Sequence, residues 1–184
     1  MAMKYRTIVA DPPWEVKRSS SYRWKEGHPC GNRMSLDYPT LTVDEIAALP
    51  VSALAAPNAH LYLWTIQSKL RDTFSVAEAW GFRHSATLVW CKPRAGVPGG
   101  TYCSNTEFVL FCRRGVEKAK QRVSTQWFMW PRTGLHSQKP EAFLDMVESV
   151  SHGPYLEMFS RRSRLGWDTW GNEALNHVPQ LDAS

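Results

Sequence analysis

The chain has 184 residues, a formal net charge of +5, 43% hydrophobic and 21% charged residues. A chain of this size buries roughly two-thirds of its unfolded surface, so it folds as one domain without disulfide or metal staples, and disorder is excluded over most of its length. No run of about eighteen apolar residues occurs and the N-terminus runs straight into a strand pattern, so neither a membrane span nor secretion is expected.

Tyr5 to Ala10 reads as a buried strand from its β-branched centre, Thr7-Ile8-Val9, and Asp11-Pro12-Pro13 ends it. Thr42 to Leu49 reads as a short helix, with Thr42 as N-cap and Glu45 three residues on completing a capping box. His60 to Thr65 is a second strand. Ser68 to Trp80 is an amphipathic helix with Leu70, Phe74 and Ala77 on one face, closed by Gly81. Ser85–Cys91 and Thr106–Cys112 are strands separated by a Gly/Pro-rich loop, and 113–137 is read as mostly irregular. Lys139 to Val150 follows as a helix with Pro140 in its first turn, and Tyr155–Phe159 and Trp167–Trp170 are the last strands. This alternation predicts an α/β sheet covered by helices on both faces, with ligands beyond the carboxyl ends of its strands. Residues 1–184 are read as one domain, with 1–4 and 174–184 as flexible ends.

Cys30, Cys91, Cys103 and Cys112 form no C-x-x-C pair. His28 and Pro29-Cys30 echo a zinc-deaminase pattern but lack its second cysteine, so no metal is expected and a reducing cytoplasmic setting fits. The basic residues are unevenly spread. Arg113, Arg114, Lys118, Lys120, Arg122 and Arg132 face the single acid Glu117 between 113 and 132, while Lys17, Arg18, Arg23, Lys25 and Arg33 interleave with Tyr22 and Trp24. Such stretches suit phosphate contact with base stacking, and Trp24 is the expected base-contacting aromatic.

Asp11-Pro12-Pro13-Trp14 carries the most specific chemistry. An exocyclic base amine is a poor nucleophile because its lone pair is delocalised into the ring. A carboxylate and a backbone carbonyl accepting both amino hydrogens can align that nitrogen and stabilise the charge it acquires. Consecutive prolines fix φ and bring no N–H to compete for the carbonyls, and Trp14 is expected to offer a face to a base lifted from its stack. The plain alternative is a rigid turn that ends a strand.

The ordered set IVADPPW (8–14), LDYPTLTVDEI (36–46), HLYLWT (60–65), HSQKPE (136–141), YLEMFSR (155–161) and WGNE (170–173) resembles the DPPW-motif adenine-N6 methyltransferases, the family of the eukaryotic mRNA adenosine methyltransferase and of bacterial and phage DNA relatives. The resemblance implies a Rossmann-like sheet, permuted so that the catalytic motif precedes the cofactor strand, and S-adenosylmethionine as cofactor with S-adenosylhomocysteine as product. It implies Asp11 and the Pro12 carbonyl as acceptors for the target amine, Trp14 and Tyr38 as walls of an adenine pocket on a gate loop, and Lys139 between cofactor and substrate. Glu157, Phe159, Arg161, Asn172 and Glu173 are implied as cofactor contacts. Glu173 stands where the family carries a glutamine, and a carboxylate there can accept from both ribose hydroxyls. No Gly-rich loop follows the cofactor strand, and only four residues precede the first strand, so the cofactor's adenine is left to other loops. The expected substrate is adenine in DNA, with Arg113, Arg114, Lys118, Lys120 and Arg122 giving salt-dependent contacts to the polymer. RNA adenosine, cytosine N4 and a silent nucleic-acid-binding subunit remain alternatives, and a homodimer or homologous partner subunit stays open.

Overall fold

The computed structural model describes residues 4–16, 39–92, 101–131, 138–160 and 163–170. The β-branched run at its centre makes Tyr5–Ala10 the first strand, β1, buried almost throughout. Then follow helices α1 (Val43–Ala47) and α2 (Val51–Leu54), strand β2 (Ala55–Thr65), a single 3-10 turn at Gln67–Lys69, helix α3 (Leu70–Ala79), strands β3 (Arg83–Cys91), β4 (Thr106–Arg114) and β5 (Trp127–Phe128), helix α4 (Glu141–Val150), and strands β6 (Tyr155–Met158) and β7 (Trp167–Trp170). The predicted capping box of α1 is present, with the Thr42 hydroxyl accepting from the Glu45 N–H and the Glu45 carboxylate accepting from the Thr42 N–H.

The strands form one sheet in the order β5-β3-β4-β2-β1-β6-β7. β1 pairs in parallel with both β2 and β6, β6 with β7 and β3 with β5, while β4 is antiparallel to β2 and β3. The carboxyl ends of six strands and the amino end of β4 therefore share one edge. Because β1 connects to β2 on one side and is joined by β6 on the other, the strand order reverses at β1, and the crevice of an α/β sheet opens at such a point.

Alternation along β1 separates two cores. Ile8 and Ala10 face a cluster with Leu61, Leu63 and Met158, closed by Ile46 of α1 and by Val76, Ala77 and Trp80 at α3. Val9 faces the other side, with Tyr62, Trp64, Trp90 and Val109 under Phe143, Leu144 and Val147 of α4. The layers match the sequence expectation, but helix α2 was not expected and several boundaries differ. β2 begins five residues before the apolar run at His60, because a bulge between Tyr5 and Thr7 lets Ala55 pair with Tyr5. β3 and β4 each run two residues further at the far edge, where Arg83 pairs with Arg113. Within the segment read as irregular, Trp127 and Phe128 add to the sheet against Val89 and Trp90. Finally, α4 starts at Glu141 rather than Lys139. Pro140 is its N-cap, in an extended conformation (φ −62°, ψ 138°), and the ring of Pro140 disfavours helical geometry at the residue before it.

Candidate active site

Asp11 leaves the carboxyl end of β1 in line with Val9 and so points to the α4 side. Lys139, held out of α4 by Pro140, reaches the same place: its Nζ lies 2.9 Å from Asp11 Oδ2 and 3.1 Å from Glu107 Oε2. Glu107 is the second residue of β4, opposite Trp90 of β3, and its other carboxylate oxygen is taken by Lys92, one residue past β3. Lys92, Glu107, Lys139 and Asp11 thus form an alternating row of four charges along the sheet edge. Burial alone would push the Glu107 carboxyl up, but Lys139 and Lys92 outweigh it and hold it below the usual carboxylate range. Burial would likewise lower the Lys139 ammonium, and the carboxylates of Asp11 and Glu107 reverse that and raise it. Lys139 Nζ also lies 5.1 Å from the centre of the Trp64 ring.

The row borders an open cleft of about 440 Å³ lined by Val9, Asp11, Trp64, Lys139, Glu157 and Phe159, with Phe143 and Leu144 of α4 as an apolar wall. Glu157 enters it beside Val9, its register partner. Past β6 the chain turns sharply: Phe159 takes φ 61°, a left-handed conformation that costs a side-chain-bearing residue about 1 kcal/mol. Ser160 secures that turn, its N–H donating to Trp170 O (3.0 Å) and its hydroxyl to Glu157 Oε2 (3.1 Å). A turn that glycine often makes is here made by Phe159, packed edge-on against Trp170.

Comparison with known proteins decides what this cleft belongs to. The MT-A70 family model matches residues 5–173. The chain belongs to the MT-A70 family. It is 30% identical over 182 residues to the type II methyltransferase M.MunI of a Mycoplasma species, covering 92% of this chain and 78% of that one. It is 27% identical over 197 residues to the human N(6)-adenine-specific methyltransferase METTL4, covering 93% of this chain and 38% of that one. To a putative N(6)-adenosine-methyltransferase of Medicago truncatula it is 25% identical over 180 residues, covering 92% of this chain and 26% of that one. The chain thus spans much of M.MunI and well under half of these plant and human relatives.

As an MT-A70 protein it is an S-adenosylmethionine-dependent adenine-N6 methyltransferase acting on nucleic acid, on a Rossmann-like sheet in permuted order, with the motif strand β1 ahead of β6. That sets aside the cytosine-N4 and silent-subunit readings. The cleft suits such a cofactor in its chemistry: it combines carboxylates for hydroxyls and positive charge with an apolar wall. Among the described residues no three His, Cys, Asp or Glu side chains could hold a metal ion, and no helix is long and apolar enough to cross a membrane.

Of the MT-A70 residues expected at the site, the structure gathers Asp11, Lys139, Glu157 and Phe159 around one cleft. Trp24, Tyr38, Arg161, Asn172 and Glu173 lie outside the described residues, as do His28 and Cys30. One expectation needs correction. Trp14 presents no open face: it is only 6% exposed, packed in the core, with its indole N–H donating to Trp64 O at 3.0 Å. Its backbone N–H donates to the Pro12 carbonyl (2.9 Å), and Trp14 forms a bridge with Leu41, whose N–H donates to the Pro13 carbonyl (2.9 Å). Trp14 therefore fixes the Asp-Pro-Pro turn against β2.

The basic stretch lies away from the cleft. β4 carries it to the opposite edge, about 20 Å from Phe108 at ~3.3 Å per residue, where Arg114 pairs with Ala59 at the start of β2's apolar run. Arg113 packs over Phe111, Arg114 donates to Ser52 O and Lys120 to Glu148 O. Lys118 follows Glu117, which is held at that same edge by Arg6, and Arg122 is exposed on the way to β5. Sequence reading missed Glu107, Lys92 and Trp64. The available signal was an acid at the second position of the apolar strand TEFVLFC and a lysine just past its hairpin partner, an arrangement that puts opposite charges on one sheet end.

Proposed function

We propose that this chain methylates N6 of adenine in DNA, with Asp11 as the group that accepts from the target amine. The observation carrying this reading is the Asp11–Lys139 ion pair at the mouth of the cleft. The Pro12 carbonyl is the second acceptor: it takes one N–H from Trp14, and a carbonyl oxygen has a second lone pair. Together they hold both amino hydrogens and direct the N6 lone pair into the cleft. Lys139 orients the Asp11 carboxylate, which stabilises the positive charge developing on N6. When bound, S-adenosylmethionine supplies a methyl group on a cationic sulfur, which keeps the bonding electrons as the N–C bond forms and becomes a neutral thioether. The methylated nitrogen then loses one proton to water or to Asp11.

Glu157, which lines the cleft, supports a reading as acceptor for ribose hydroxyls; the family resemblance adds Arg161, Asn172 and Glu173 to the cofactor side and Trp24 and Tyr38 to the substrate side. DNA is favoured because the relative matched over a large share of both chains, M.MunI, is a type II methyltransferase. An RNA substrate is the second reading, favoured by the relatives named N(6)-adenosine-methyltransferases and by the N6-methyladenosine RNA methyltransferase of Cryphonectria parasitica, 26% identical over 181 residues. The test is methyl transfer from radiolabelled S-adenosylmethionine to matched DNA and RNA pools, followed by nucleoside analysis. N6-methyldeoxyadenosine is the expected product; label confined to the RNA pool would overturn the DNA reading.

A further inference from the structure

Glu107 is a carboxylate with a lysine on each oxygen. Lys139 is shared between Glu107 and Asp11, whereas Lys92 touches only Glu107 of these two acids. Its position is fixed from both ends. The Lys92 backbone N–H donates to Asn105 O at 2.8 Å, closing the ladder between β3 and β4, and its Nζ lies 5.1 Å from the centre of the Trp90 ring. Trp90 is held in turn by its indole N–H donating to Trp130 O at 2.9 Å. The side chains of Lys92, Glu107 and Lys139 are each only 15% exposed, so water screens the row weakly.

We propose that Lys92 is a positioning residue for methyl transfer: by holding one oxygen of Glu107 it fixes the other against Lys139, and so sets how Lys139 holds Asp11. With all four groups present the charges alternate and cancel. Without Lys92, one ammonium faces two half-buried carboxylates, and Glu107 is free to swing both oxygens toward Lys139. Lys139 is then drawn along the edge toward β4 and away from Asp11. Lys92 has no need to touch cofactor or substrate for this, so its loss acts on alignment in the transition state, where a displacement of about 1 Å costs on the order of 10²-fold in rate.

The inference rests on Asp11 being the acceptor of the target amine, and the test separates the two. Turnover and S-adenosylmethionine affinity are measured for Lys92→Met, Lys92→Gln, Lys92→Arg and Asp11→Ala, with thermal melts to select folded variants. Crystal structures of the Lys92 variants with S-adenosylhomocysteine report the Lys139–Asp11 distance. Expected are a kcat reduced by about 10²-fold in the Met and Gln variants, cofactor affinity within about threefold of wild type, recovery to within about tenfold in Lys92→Arg, and a lengthened Lys139–Asp11 contact in the first two only. Unchanged kcat in Met and Gln alongside an inactive Asp11→Ala would overturn the role of Lys92 alone. An active Asp11→Ala would overturn the reading beneath it. An unaltered Lys139–Asp11 contact in folded Met and Gln variants, or a loss of rate that Arg does not recover, would also reject the proposal.

Discussion

Asp11 stands one residue beyond β1 and makes an ion pair at 2.9 Å with the largely buried Lys139 at an open cleft. A charge so placed is worth far more than one in solvent, and loss of one such stabilising group costs about 10²–10³ in kcat. Asp11→Ala is therefore expected to lower kcat at least that far with little change in the unfolding midpoint, read by single-turnover label transfer and urea denaturation. Trp14 behaves differently. Trp14→Phe keeps an aromatic ring but loses the hydrogen bond to Trp64 O, so about 1 kcal/mol of stability should go. Turnover should survive because the indole does not face the cleft. A drop in substrate affinity at unchanged stability would contradict the buried role assigned to it.

The element that places Lys139 is the start of α4. Lys139 precedes the N-cap Pro140 and so stays outside the helix, and its side chain reaches across the sheet edge to Asp11 and Glu107. Pro140→Ala removes that restriction and lets the helix grow backward by a residue or two. The expected result is an α4 at least as stable and a kcat lower by about tenfold or more, because Lys139 leaves Asp11; helix growth is read by NMR chemical shifts and rate by label transfer. The sequence showed that a helix follows Lys-Pro. It did not show which side of the proline the lysine serves, because a first-turn proline and an N-cap proline give the same pattern of residues.

Across the whole molecule the two ends of the sheet do different work. The carboxyl edge carries the charge row and the cleft. The opposite edge carries a buried polar network in which His60 Nδ1 and the Tyr62 hydroxyl each lie 2.8 Å from Ser151 Oγ, beside Glu117 with Arg6 and His152. Burial holds the His60 imidazole below its ordinary pKa, outweighing the Glu117 carbonyl that would raise it. Its folded value lies below its unfolded one, so the unfolded chain binds more protons between the two. Its stabilising contribution is fully present above about pH 6.5 and is lost as pH falls through the lowered value. Urea midpoints measured from pH 7.5 down to 5 should decline from about pH 6.5, and His60→Gln should flatten that part of the decline.

Read alone, the chain determined much of this. The β-branched first strand, the Thr42–Glu45 capping box, the α3 face, the β3–β4 hairpin and Asp11 just past a strand end depend on neighbours in sequence, where periodicity and turn chemistry act. The ordered motifs likewise carried the family. Tertiary structure decided what depends on which residues share a sheet edge. Register put Glu107 and Lys92 beside Lys139, although neither stands near it in sequence. The length and direction of β4 carried Arg113 and Arg114 to the far edge. Packing buried Trp14, because an indole beside a central strand end gains more from the core and the Trp64 carbonyl than from an exposed face.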